Sequence, residues 1–312
     1  MAVTCSVAAA PEEVTYLLPA PATLPAFAPW MIAQQQGYYA DENIKVSFAS
    51  GKGGVDVAKQ VGAGNALIGG AIGDTPIIVR ANGVPVKAVA VIGGGSLTQL
   101  AVHDGGPIKA VKDMKGRTLT VMAYADTTYY SLLGSLKLAG LGKNDLDIQA
   151  AGPAGVWQLF AAGKSEGMAA VPEWIVSAEE AGAKVRLLSN AEAFPSMAQA
   201  ILASDEAIKN KPDLLKRLVR ATLRGMMDIV RDPKAAAAVY VKAVPSFAGK
   251  EASVERILTM YRDRVYGKQK TPGEIDAKRL EAVQKFYVTE GIVPKAAPLA
   301  ELYTNQFIGV DR

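Results

Sequence analysis

Short runs rich in apolar and β-branched residues alternate with longer runs of helical period over the first two thirds of the chain. The short runs fall at residues 14–18, 44–49, 66–70, 86–92, 99–103, 118–122, 148–150, 167–171 and 185–188, and predict strands. Between them, residues 30–36, 54–63, 75–82, 126–139, 155–162 and 173–181 predict helices. The punctuation agrees. Gly37 and Gly140 stop helices, and Asn82-Gly83 is a left-handed stop. Thr75-Pro76 reads as an N-cap followed by proline at the first helical position, and Asp126-Thr127-Thr128 as an N-cap cluster. Strands alternating with helices predict mostly parallel sheets covered on both faces. After about residue 205 the strand signals cease. Residues 211–231, 233–244, 250–261 and 275–290 read as helices separated by Pro233, Pro245, Gly249 and Gly267, a helical tail that packs on a lobe.

The pattern of residues 64–86 is repeated at residues 163–185. Gly64 falls on Gly163, Asp74 on Glu173, Thr75 on Trp174 and Gly83 on Gly182. Two similar α/β halves predict two Rossmann-like lobes with a ligand cleft between them. Residues 97–102 and 197–203 are the expected crossings, which makes residues 14–100 plus 200–312 one lobe, 101–199 the other, and the crossings a hinge.

Composition narrows the chemistry. A net charge of +4 over 312 residues, with no basic block, argues against nucleic acid as a partner. The chain has one His and one Cys, His103 and Cys5, which removes His/Cys zinc sites and leaves little for Ser-His-Asp or Cys-His catalysis. No metal or cofactor is expected. His103 beside a crossing strand reads as structural. Residues 1–13 read as a leader: Ala8-Ala9-Ala10 ahead of Pro11 resembles the end of a secretory signal whose basic start is missing. Cys5 follows Ala-Val-Thr, a poor lipid-attachment signal, so a soluble periplasmic form is expected.

Gly37-Tyr38-Tyr39 with Ile44-Lys45-Val46, residues 69–76 with Asn82-Gly83-Val84-Pro85-Val86, residues 108–117, Leu138-Ala139-Gly140-Leu141 and residues 163–182 occur in an order that resembles the solute-binding proteins of ABC importers. The alkanesulfonate/nitrate/taurine and thiamine-pyrimidine-precursor group is the nearest in pattern, and the resemblance runs over residues 14–305. It implies a type II-like periplasmic binding protein fold, a small-molecule ligand, an inner-membrane ABC permease as partner, a monomer, and no reaction.

Ligands of open α/β sheets sit beyond the carboxyl ends of the strands. The loops at residues 20–25, 51–54, 71–75, 123–128 and 172–174 therefore supply the candidates: Thr23, Trp30, Gly51, Lys52, Gly53, Gly73, Asp74, Thr75, Tyr124, Asp126, Thr127, Thr128, Trp157, Glu173 and Trp174. The glycines would let backbone approach a ligand, and Lys52 is either a counter-charge or a solvated surface lysine. Asp74, Asp126 and Glu173 either cap helices or accept hydrogen bonds from the ligand. Sulfonate and nitrate binders resembling this chain offer Gly, Ser or Thr where Ala125-Asp126 stands, and a carboxylate there would repel a sulfonate. Trp30, Tyr124, Tyr129, Tyr130, Trp157 and Trp174 gather at these loops, and pyrimidine-precursor binders of the group sandwich a planar ligand. Trp174 and Tyr124, then Trp157, are the preferred stacking residues, with Thr23, Thr75, Thr127 and Thr128 as hydroxyl partners. The expected solute is a pyrimidine-like heterocycle or aromatic acid, and the alternative is an alkanesulfonate or taurine. An enzyme on the same fold is a further alternative, but the cysteine-rich, His-containing motif of the pyrimidine synthase in this group is missing.

Overall fold

A computed structural model describes residues 10–124, 126–189 and 193–309. The leader signal at residues 1–9, with Cys5, lies outside the described residues. The first half runs β1 (Glu12–Leu18), α1 (Ala28–Gln35), α2 (Tyr38–Asp41), β2 (Ile44–Ser50), α3 (Gly54–Gly62), β3 (Ile68–Ile72), α4 (Thr75–Arg80) and β4 (Val86–Val91). Then follow β5 (Gln99–His103), β6 (Thr118–Val121), α5 (Thr127–Leu138), β7 (Asp147–Ala150), α6 (Gly152–Ala161), β8 (Gly167–Ala170), α7 (Pro172–Glu180), β9 (Val185–Leu187) and β10 (Gln199–Ser204). The tail is α8 (Asp205–Asn210), α9 (Pro212–Arg231), α10 (Pro233–Ala243), α11 (Glu251–Tyr261), α12 (Ala277–Thr289) and α13 (Leu299–Leu302).

These strands form two five-stranded sheets, ordered β2-β1-β3-β10-β4 and β7-β6-β8-β5-β9. Where a helix returns the chain, neighbouring strands pair in parallel: β1 with β2 and β3, β6 with β7 and β8. The two strands that enter from the other sheet run antiparallel to both of their neighbours, β10 between β3 and β4 and β5 between β8 and β9. They have no crossover helix to reverse them. The mostly parallel sheets read from the sequence are thus each interrupted by one antiparallel strand.

The repeat is structural. Gly64 and Gly163 precede β3 and β8 with φ of 78° and 68°, and Gly83 and Gly182 follow α4 and α7 with φ of 79° and 95°. All four sit in the left-handed region that a side chain disfavours. Tyr16, Leu18 and Ile68 of the first sheet are buried beneath α1, and α9 and α10 pack on α1 in turn. A second core gathers Leu119, Val121, Leu132 and Leu136. The tail also reaches the other half, because α11 packs on α7 as well as on α10. The crossings and the acidic entrances to α4, α5 and α7 therefore lie where the tail meets both sheets. Among the described residues, no helix is long and apolar enough to cross a membrane.

Candidate functional site

The loop between β2 and α3 uses its own donors. The backbone N–H groups of Gly51 and Gly53 donate to the carbonyls of Leu18 (2.7 Å) and Pro19 (2.9 Å), and that of Lys52 donates to the Asp56 carboxylate at 2.9 Å. The Lys52 side chain is exposed. Gly53 takes a φ of 91°, which the tight turn requires. Gly73 donates to the Ala198 carbonyl at 2.9 Å and lies so close to the returning chain that a Cβ would fall 2.9 Å from that of Met197.

The three acids have separate fates. Asp126 caps α5: it accepts from the Thr128 N–H at 2.9 Å and the Thr128 hydroxyl at 2.6 Å. Burial raises its pKa, and those bonds pull it back. Thr128 is buried and Thr127 half-buried.

Asp74 is fully buried at the entrance to α4, and its side chain caps nothing. Its position corrects the reading of Thr75 as N-cap. Asp74 holds that position, and Thr75 is the first helical residue, accepting from the Ile72 N–H at 3.3 Å. Oδ2 of Asp74 accepts from the Tyr287 hydroxyl at 2.6 Å, while the buried Oδ1 has no partner. Burial pushes this carboxyl up to about 6, against the lowering effect of the Tyr287 bond and the Arg279 charge.

Glu173, in the first turn of α7, accepts from the Tyr261 hydroxyl at 2.6 Å, and burial raises its pKa. The two repeat-related acids are thus each held by a tyrosine of the tail, at equal distance.

The aromatic candidates separate as well. Trp30 is fully buried between Tyr16 and Phe27, with ring centroids 6.0 and 5.9 Å away, so it stands in the core of the first half. Trp157 is half-buried against the core of the second half. Trp174 is half-buried and touches both cores. Tyr124 is 55% exposed, donates to the Ile148 carbonyl at 2.9 Å and meets Tyr129 edge-on at 5.4 Å. From there a row runs inward, Tyr129 to Tyr130 at 5.9 Å and Tyr130 to Tyr287 at 5.8 Å, and it ends at Asp74. A groove of about 890 Å³ follows the outer part of that row, lined by Tyr124, Tyr129, Tyr130 and Leu133 among others, and none of the three acids lines it. Thr23 is exposed, and its carbonyl accepts from the Tyr240 hydroxyl. His103 stacks on Phe160 at 4.0 Å with Nε2 3.1 Å from the Ser165 carbonyl, a structural role as expected.

Asp74, Asp126, Tyr130 and Tyr287 therefore form one neighbourhood, and Glu173, Tyr261 and Trp174 another, which Thr23 reaches through the Tyr240 hydroxyl that bonds its carbonyl, while Trp30, Lys52 and Trp157 join neither. Sequence reasoning passed over Tyr261, Tyr287, Arg279 and Gln199. Gln199 donates through Nε2 to the Ala26 carbonyl at 2.8 Å, and its buried Oε1 has no partner.

Residues 24–236 match the family described as NMT1/THI5 like. The chain belongs to that family. A curated relative of this NMT1/THI5-like chain, the riboflavin-binding protein RibY of Chloroflexus aurantiacus, is 23% identical over 296 residues, covering 90% of this chain and 82% of its own. Among solved structures, the alkanesulfonate-binding protein SsuA of Xanthomonas axonopodis pv. citri, bound to MOPS, superposes with a TM-score of 0.74 at 19% identity, over 96% of this chain and 100% of its own. The desulfurization enzyme DSZB shares the fold more distantly, with a TM-score of 0.59 at 16% identity over 95% and 97% of the two chains. The fold of this NMT1/THI5-like chain is that of the periplasmic solute-binding proteins that serve ABC importers.

Proposed function

We propose that this protein captures a small planar solute bearing N–H or O–H donors in the cleft between its two lobes, in the periplasm, and delivers it as a monomer to an inner-membrane ABC permease. The lobes are residues 14–100 plus 200–312 and residues 101–199. The observation that carries the ligand class is Asp74, whose carboxylate is fully buried at the carboxyl end of β3 with Oδ1 unpaired. A buried acceptor without a partner costs about 1–3 kcal/mol, more when charged, and a ligand donor recovers it. The glycine-rich loop that would suit a sulfonate has its backbone donors already used: the N–H groups of residues 51–53 are all donated within the protein. Asp126 adds negative potential beside Asp74, against an anion. The riboflavin named for the relative is planar and carries hydroxyl and imide donors, which fits this chemistry.

Trp174 touches both cores and is the stacking candidate that closure would bring onto the solute. Contacts to both lobes exist only in the closed form, so the solute shifts the balance toward it. Nothing in this scheme transforms the solute.

The test is thermal melting and calorimetric titration against riboflavin, an aminopyrimidine, an aromatic carboxylate, taurine and ethanesulfonate. Stabilisation by the planar donors alone supports the reading, with the bound compound recovered unchanged. Stabilisation by the sulfonates alone would overturn it. Trp174→Ala is expected to weaken the bound planar solute by about 1–3 kcal/mol through lost stacking and burial, and an unchanged affinity would assign Trp174 to packing.

A further inference from the structure

Residues 92–98 and 193–198 carry the chain between the two sheets, and one side chain binds both. Arg279, in the first turn of α12, donates through Nε to the Pro195 carbonyl at 2.8 Å, through Nη1 to the Gly94 carbonyl, and through Nη2 to the Ser196 carbonyl and to Ser96 Oγ at 3.0 Å. Ser96 Oγ in turn donates to the Ser196 carbonyl at 2.8 Å. The planar five-donor guanidinium is the side chain suited to joining several carbonyls at fixed angles, and it keeps its charge throughout.

The crossings themselves are unusually polar and tight. Thr98 Oγ1 and Ser196 Oγ are buried there without partners, as is Gln199 Oε1 at the adjoining start of β10. A Cβ on Gly95 would lie 1.9 Å from the Arg264 carbonyl oxygen, so the first crossing is pressed against the turn that follows α11. Buried polar atoms left unpaired in one geometry favour a second geometry that pairs or hydrates them. Something must then hold the first. Two turns along the same helix, Tyr287 holds Asp74.

We propose that Arg279 is a positioning residue of the hinge. It ties the two crossings to each other and to the helix whose Tyr287 holds Asp74, so that α12 sets the hinge geometry and the position of that buried carboxylate together. This rests on reading the two crossings as a hinge between lobes, and the experiment therefore uses the full chain without any solute. Amide exchange and small-angle scattering would compare wild type with Arg279→Ala, Arg279→Lys and Ser96→Ala. Loss of one charge-assisted bond corresponds to about tenfold or more in local opening. Arg279→Ala is expected to raise exchange at residues 92–98 and 193–199 by at least that factor, leave β1 and α9 unchanged, and enlarge the radius of gyration. Arg279→Lys keeps the charge but loses the fork, so it moves the same way by less, and Ser96→Ala by less again. Should Arg279→Ala fail to fold, the other two decide. Unchanged exchange at the crossings in Arg279→Lys and Ser96→Ala, or a uniform rise that includes β1 and α9, overturns the proposal. Stabilisation of wild type by the sulfonates alone would sink the solute reading and leave this result standing.

Discussion

Asp74 concentrates the chemistry of the molecule in one side chain, and its burial has a pH signature. Its carboxyl is pushed up to about 6 from an ordinary value of 3.8, so the folded chain binds a proton more readily than the unfolded chain. Stability therefore falls as pH rises from about 4 to about 6, and the cost is fully present above that window. Asp74→Asn removes this dependence. Relative to wild type, the variant should gain about 2 kcal/mol between pH 4 and pH 7.5, read as the change in ΔΔG from denaturant melts at the two pH values. A difference independent of pH would mean that the carboxyl does not titrate in the fold. Tyr287→Phe removes the donor to Oδ2, so it should cost about 1–3 kcal/mol above pH 6 and less at pH 4, where the protonated carboxyl needs the donor less. The acid itself was legible in the sequence, since the repeat aligns it with Glu173. Its partner was not: Tyr287 lies in the helical tail, where a tyrosine at apolar spacing looks the same whether it packs or reaches a carboxylate. Nor does the primary chain distinguish the three acidic helix entrances. Asp126 has a threonine two residues on to close a cap, whereas the fold turns Asp74 toward α12.

Among the elements, α1 and α9 show how tightly the tail is fitted to the first sheet. Gly225 lies inside α9, where an alanine is ordinarily better by about 1 kcal/mol. Here a Cβ would stand 2.1 Å from the Pro29 carbonyl oxygen and 3.0 Å from the Ala33 N, both backbone atoms of α1 that cannot swing away. Overpacking of this kind costs about 1–3 kcal/mol or more and should outweigh the gain in propensity. Gly225→Ala is thus expected to lower the melting temperature, and a rise would mean that α9 can shift off α1. The elements were the most readable level of the chain. Apolar period and glycine stops located the strands and helices because those signals are local. The direction of β5 and β10 was not local, since it depends on which sheet each strand joins. The aromatic candidates divided for the same reason. Trp30 and Trp174 sit beside equally plausible loops, yet Trp30 points from α1 into the core while Trp174, in the first turn of α7, stands at the meeting of two cores.

At the scale of the molecule, the two halves touch through α5 with α12 and through α7 with α11. Lys137 meets Glu290 at 3.0 Å, Arg256 meets Glu179, Tyr130 packs on Tyr287, and the Tyr261 hydroxyl meets Glu173 at 2.6 Å. These contacts are not equal. The two ion pairs are rim contacts, with Lys137 and Arg256 more than half exposed, so each is worth about 0–1 kcal/mol and fades with salt. Tyr261 is fully buried, and burial already raises the pKa of Glu173, so removing the hydroxyl leaves a half-hidden carboxylate without its donor. That should cost about 1–3 kcal/mol, felt only when the halves meet. Tyr261→Phe is therefore expected to weaken the solute that stabilises wild type by roughly tenfold or more, and to reduce the compaction that this solute produces in small-angle scattering. Arg256→Ala should change affinity by less than about fivefold, and half-molar salt should act like Arg256→Ala on the wild-type protein. If Arg256→Ala and salt instead match or exceed Tyr261→Phe, the halves are held by their charged rims, and the buried acid and its tyrosine only fill the space between them.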